Sequence, residues 1–199
     1  MNKQFTVLKV VSAVVLIAFG AGGRYLLKDV PNIETITVVA LLAGSLLGGV
    51  WTIIVGLVVV AITDIFIGNT SIMLYTWSAW AAVGLFGWAV RKRGKTPLRH
   101  SFELTGMGLF ANVFFYAWTN FGVWQMGWMY PKTLDGLVMS YVAGLPFLKY
   151  QMIGTLIIVP SVSFIALHAW KRAPQWLARR NEQVQAGGDL NCASYGKDR

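Results

Sequence analysis

Charge is what this chain of 199 residues has least of. Only 13% of its side chains are Asp, Glu, Lys or Arg, and not one lies between Thr35 and Thr63. Water-soluble domains carry about 25%, so this composition does not build a soluble exterior. One cysteine, Cys192, permits no internal disulfide. The two histidines, His100 and His168, stand apart, and no His, Cys or Glu cluster has metal spacing. No Gly-rich loop leads into a Lys-Ser or Lys-Thr pair, which excludes ATP binding by a P-loop. Gly-x-Ser-x-Gly and His-Glu-x-x-His are missing too, as is the dense intramembrane charge relay of a proton pump. No cofactor is called for, and the chain is expected not to be an enzyme.

What is present is apolar length. Hydrophobic residues make up 56% of the chain, and its mean hydropathy is +0.57. A bilayer core of roughly 30 Å takes about 20 helical residues to cross. The stretch from Thr35 to Gly68 is therefore two closely joined spans that reverse at Gly48-Gly49. Ala40, Gly44 and Gly48 recur every fourth residue and share one face of the first span. Such a face permits close approach of another helix where lipid supplies no hydrophobic push. The second span ends at Thr63-Asp64, with a carboxylate near a membrane boundary.

The rest of the chain supplies four more spans. Helix one covers Val10 to Leu27. It is read as retained, not cleaved, because Ala21-Gly22-Gly23-Arg24-Tyr25 offers no clear signal-peptide cleavage site. Ala18 and Gly22 form a second small pair on it. Pro31-Asn32 turns the chain into the hairpin. Helix four runs from Ile72 to Val90, helix five from Phe102 to Phe121, and helix six from Phe147 to Trp170 with a kink expected at Pro160. Thr133 can cap a short extra helix in the last outer loop, ending before Gly144 and Pro146. The expectation is an all-α, polytopic membrane protein. Residues 1–172 form a six-helix domain, and residues 173–199 a polar tail expected to be disordered.

Orientation follows from the positive charges. Lys3, Lys9, the basic loop Arg91 to His100, Lys171, Arg172, Arg179 and Arg180 fall on one side; Arg24, Lys28, Lys132 and Lys149 fall on the other. The positive-inside bias puts both termini in the cytoplasm, with the chain in the cell membrane. The formal charge of +9 thus belongs to helix flanks. With no soluble basic face or recognition motif, no nucleic-acid partner is expected.

The outward face is where chemistry can gather. The connection after helix five, Gly122 to Pro146, is too long for a mere turn. Its aromatics Trp124, Trp128 and Tyr130 have two explanations: a headgroup belt, or a lid over a concave site between helices. Arg24, Asn32, Asp64, Asn69 and Asn120 sit at outer ends of spans, and Trp77 lies near the start of helix four. Ionisable groups there face an interior or water. Two plainer readings stand beside a binding role: Arg24 and Asp64 pair or cap helix ends, and Asn32 only makes a turn. Asn112, near the middle of helix five, bonds another helix or lines a pocket.

Leu41 to Trp51, continuing through Ala61-Ile62-Thr63-Asp64-Ile65-Phe66-Ile67-Gly68, resembles helices two and three of the substrate-binding (S) components of energy-coupling factor transporters. Thr119-Asn120-Phe121-Gly122-Val123-Trp124, Tyr130 to Leu137 and Leu145-Pro146-Phe147 are similar to an uncharacterised membrane family related to those components. The resemblance spans Ala18 to Pro160. It implies a six-helix subunit capturing a small-molecule ligand, a vitamin or micronutrient, near the outer face. It also implies that small residues of helix one meet a membrane scaffold subunit coupled to paired ATPases. Combined with the residue reading, the candidate binding set is Arg24, Asn32, Asp64, Asn69, Trp77, Asn120, Trp124, Trp128 and Tyr130. The candidate partner-helix contacts are Ala18, Gly22, Ala40, Gly44 and Gly48. Two alternatives remain open: a non-transporting scaffold or assembly protein, and an intramembrane enzyme with a dispersed site.

Overall fold

The structure, a computed structural model, describes residues 3–30, 32–68, 71–91 and 96–195. Those residues hold six helices and no strand: α1 (Lys3–Leu26), α2 (Ile36–Leu42, continued by a π-helical turn Ala43–Leu47), α3 (Trp51–Ile67), α4 (Met73–Ala89), α5 (Pro97–Met126) and α6 (Leu134–Tyr195). Their order follows from α2, which is apolar on every side and must therefore be enclosed. Each residue from Thr35 to Ser45 is buried, and the other five helices all touch α2. The reversal expected at Gly48-Gly49 is present. Both have positive φ, 62° and 60°, and Gly48 adopts a φ, ψ pair open only to glycine.

Glycine also sets how closely the helices approach. A Cβ on Gly44 would strike the Gly84 carbonyl, one on Gly87 the Leu41 backbone, and one on Gly84 the Thr52 carbonyl. Helices α2, α3 and α4 thus meet backbone to backbone. Ala40, buried against Gly56 of α3, belongs to the same packing, and Gly48 lies under the Arg91 guanidinium. The small face of α2 is accordingly occupied within this chain. On α1 the inward glycines are Gly20, against Val39 and Val59, and Gly23, against Thr35. Ala18 and Gly22 lie on the exposed face.

A polar seam joins α5 to α6. Asn112 Nδ2 donates to Thr155 Oγ1 at 2.8 Å and to the Gln151 carbonyl at 3.2 Å. Ser101 meets Ser163 at 2.8 Å, and Tyr116 donates to the Tyr141 carbonyl at 2.7 Å. Asn112 therefore bonds another helix. At the opposite end from the α1–α2 connection, His100 Nε2 bonds Ser45 in the π-helical turn, fastening the start of α5 to α2.

The bounds of α5 and α6 differ from expectation. Helix α5 starts at Pro97, not Phe102, because Thr96 accepts from the Arg99 amide and proline suits the first helical position. It runs past Gly122, which receives the Tyr75 ring, and stops at Gly127 in the left-handed conformation. The short extra helix is not separate: its residues form the first turns of one helix with helix six. Gly136 and Gly144 do not break it, because they are contact points, Gly136 against Pro131 and Gly144 against Asn120. Pro146 and Pro160 are both accommodated, and the helix runs on to Tyr195.

Phe5–Leu26 and Leu134–Ala173 are each long and apolar enough to cross a membrane; Ile36–Leu47 and Trp51–Ile67 are shorter apolar helices. The exterior is apolar as well: Ile65 and Leu74 are each 78% exposed and Ile165 68%.

The glycine junction makes a direct prediction. Gly84→Val should lower stability by about 1–3 kcal/mol through overpacking, read as a lower thermal unfolding midpoint in detergent. Gly22→Val, whose Cβ meets nothing within 4 Å, should leave it unchanged.

Candidate functional site

A cavity of ≈ 290 Å³ opens where α1 ends and α3 ends. Five helices and the α1–α2 connection wall it. Arg24 and Lys28 come from the end of α1 and just beyond, Asn32 and Glu34 from the α1–α2 connection, and Asp64 from α3. Thr76 and Trp80 come from α4, Phe115 from α5 and Gln151 from α6. Every helix but α2 itself brings a polar or aromatic group here, and Ile36 at the start of α2 closes the base.

The charged wall is a tight network. Arg24 Nη1 lies 3.1 Å from Asp64 Oδ1 and donates to Thr63 Oγ1 at 2.6 Å. The other carboxylate oxygen, Oδ2, accepts from Trp77 Nε1 at 3.0 Å. The pair thus braces α1 against α3 while its charges face the cavity. Glu34 accepts from the Thr37 amide at 3.0 Å and from the Thr37 hydroxyl, satisfying amides at the start of α2. Burial pushes the Glu34 carboxyl above its ordinary value of 4.5, against the Thr37 and Ile36 hydrogen bonds and the Arg24 charge. Asn32 sits at φ 54°, a left-handed conformation that asparagine tolerates better than most residues.

Another part of the wall is aromatic, its two rings tilted by 44°. Trp80 and Phe115 pack with ring centroids 4.6 Å apart. Gln151 adds an amide from α6. The cavity thus carries two cations, two carboxylates, two amides and an aromatic floor, a set suited to a small ring compound with balanced polar groups. Among the described residues, no group of three His, Cys, Asp or Glu could hold a metal ion.

Of the residues singled out from sequence, the fold brings Arg24, Asn32 and Asp64 to this cavity, with Trp77 bonded behind Asp64. Asn69 lies outside the described residues. Asn120 is engaged with helix α6: its side chain packs on Gly144 and donates to the Tyr116 carbonyl, and its own carbonyl accepts from Ser140. Trp124 Nε1 donates to the Pro131 and Thr133 carbonyls, closing its own loop. Trp128 is 61% exposed and Tyr130 partly buried; neither lines the cavity. Sequence reasoning missed Glu34, Trp80, Phe115 and Gln151. The signal for Gln151 was the one that marked Asn112, a lone amide in an apolar helix.

A second polar group, Ser45–His100–Glu103, has the order of a hydrolytic triad, with His100 Nδ1 3.9 Å from Glu103. Ser45 and His100 are buried, and neither lines the cavity. The plainer role, a tie between α2 and α5, accounts for the geometry.

The chain belongs to a family of unknown function, DUF6580, whose model matches residues 2–176. Neither a curated protein nor a solved structure matches it.

Glu34 gives the site a pH signature. Its proton is held more tightly in the fold than in the unfolded chain, so its contribution to stability is present below 4.5 and lost as pH rises through the raised folded value. Unfolding midpoints of the wild type should therefore fall, relative to Glu34→Gln, as pH is raised across that window. A wild type that gains on the variant as pH rises would contradict the assignment.

Proposed function

We propose that this member of a family of unknown function is a membrane-embedded substrate-binding subunit of a transporter, akin to the S components of energy-coupling factor systems. It would capture a small nutrient of the vitamin or micronutrient class from the outer face. The observation that carries this reading is the convergence of Arg24 and Asn32 with Asp64, Gln151 and the aromatic pair Trp80 and Phe115, drawn from distant parts of the chain, on one cavity. Transport subunits of this kind need a pocket and a membrane but no catalytic set.

Six spans fit the packing. Helix α2 with its π-helical turn covers twelve residues, about 18 Å, short of a bilayer core. Sheathed by its neighbours, it needs no lipid-matched length, and the Gly48-Gly49 reversal is shielded by protein. The charge bias puts both termini in the cytoplasm and the cavity mouth outside. With Arg24, Lys28, Glu34 and Asp64 on its wall, the cavity favours an uncharged or zwitterionic ring compound over a strongly charged one. The ring would rest on Trp80 and Phe115 while Asn32 and Gln151 read its polar edge. The Trp124 loop is spent on its own closure, so the ligand is held by the cavity wall and not by an aromatic lid.

Delivery inward requires the cavity to change exposure, which we assign to tilting of the whole subunit against a membrane scaffold with ATPases. Of the two small-residue faces, that of α2 is filled by α4. Ala18 and Gly22, exposed on α1, are therefore the contact for such a scaffold.

Tryptophan fluorescence of the detergent-purified chain should answer at least one compound in a panel of vitamins and nucleobases. Asn32→Gly, which keeps the backbone conformation, and Gln151→Leu should each weaken that binding by about tenfold, the loss of one or two good hydrogen bonds. Trp128→Ala should not. Silence across the panel, or loss in Trp128→Ala alone, would overturn the reading.

A further inference from the structure

We propose that a groove between α1 and α6 is a binding site for an anionic phospholipid, one acyl chain lying in the groove and its phosphate held by Lys9 and Arg172. The inference needs the membrane part of the reading above but not the nutrient part, because the groove is a separate cavity.

Helix α1 packs along α3 and α2, whereas α6 packs on α5 and α2. Between α1 and α6 a groove of ≈ 450 Å³ is left. Val11 and Val15 form the α1 wall, Ala166 and Ala169 the α6 wall, and Leu46 of the π-helical turn lies in the floor. Ser12 is its one polar lining residue among those described. Such a surface offers little to water and suits an apolar chain.

One end of the groove is different. Phe5 of α1 meets Trp170 of α6 edge to face, ring centroids 6.5 Å apart. The Lys9 ammonium lies 5.1 Å over the Phe5 ring, and Lys171 and Arg172 follow Trp170 directly. Aromatic rings and cations together mark headgroup depth. On the topology proposed above this end faces the cytoplasmic leaflet, whose anionic lipids attract basic side chains; basic pockets between helices on that side bind acidic headgroups. Charge complementarity therefore selects an acidic lipid over a zwitterionic one.

A partner helix fits this groove less well. Close helix association relies on small residues on both surfaces, and Val11 and Val15 hold any backbone away from α1. The exposed small pair, Ala18 and Gly22, does not line the groove.

The test is native mass spectrometry of the full chain, delipidated and re-equilibrated with vesicles of equal phosphatidylglycerol and phosphatidylcholine. The wild type should retain one phosphatidylglycerol, preferred by roughly tenfold or more. Ala169→Phe, which fills the groove, should lose the retained lipid. Lys9→Gln combined with Arg172→Gln, both surface changes, should keep a lipid but lose the headgroup preference. Unchanged unfolding midpoints would show that each variant is folded. Equal retention of both lipids by the wild type, undiminished retention in Ala169→Phe, or a polypeptide in place of the lipid would each overturn the proposal.

Discussion

Backbone contact at glycine is the constraint on which the rest of this fold depends. Gly44 on α2 and Gly84 and Gly87 on α4 have no room for a side chain. In lipid, where burying apolar surface gains little, association rests on close packing and hydrogen bonds. The glycine junction supplies the packing and holds α2 at the centre. Once α2 is central, its first residues become the base of a cavity at one end, and its π-helical turn becomes the anchor for His100 at the other.

The cavity inherits its chemistry from that placement. Helices α1 and α3 both end beside the start of α2, so Arg24 and Asp64 are brought together and bridge at 3.1 Å. Charges in low dielectric need partners, and here each has one: Thr63 and Asp64 for Arg24, Trp77 for Asp64. The same groups that brace the helices present a charge-balanced wall to anything that enters. On the function proposed above, Arg24 and Asp64 would combine bracing the helices with binding, and Asn32 and Gln151 would serve the ligand alone.

Much of this was legible in the sequence, and the misses have a common cause. The Thr35–Gly68 hairpin was readable because a charge-free run ends in a glycine pair, and Arg24, Asn32 and Asp64 because polar groups beside apolar helices are costly. Glycines misled where they mark contact and not a break. Gly122 and Gly144 lie inside helices, where a Tyr75 ring and the Asn120 side chain occupy the space of a Cβ. A contact between distant residues leaves no trace in local composition. The same holds for Trp80 and Phe115, whose place in the floor depends on how α4 and α5 turn towards α2. Trp124 was conspicuous as an aromatic, but its hydrogen bonds to Pro131 and Thr133 are local to its loop.

The central claim, a bilayer-embedded bundle whose cavity opens away from the cytoplasm, is tested most directly by cysteine labelling in intact cells with a membrane-impermeant maleimide. The single native Cys192 reports the C-terminal side. Lys28→Cys in a Cys192→Ser background reports the cavity mouth. The account predicts that Lys28→Cys is labelled at once, and that Cys192 in the wild type is labelled only after permeabilisation. Labelling of Cys192 in intact cells, or a Lys28→Cys chain that stays unlabelled until the membrane is opened, would contradict it.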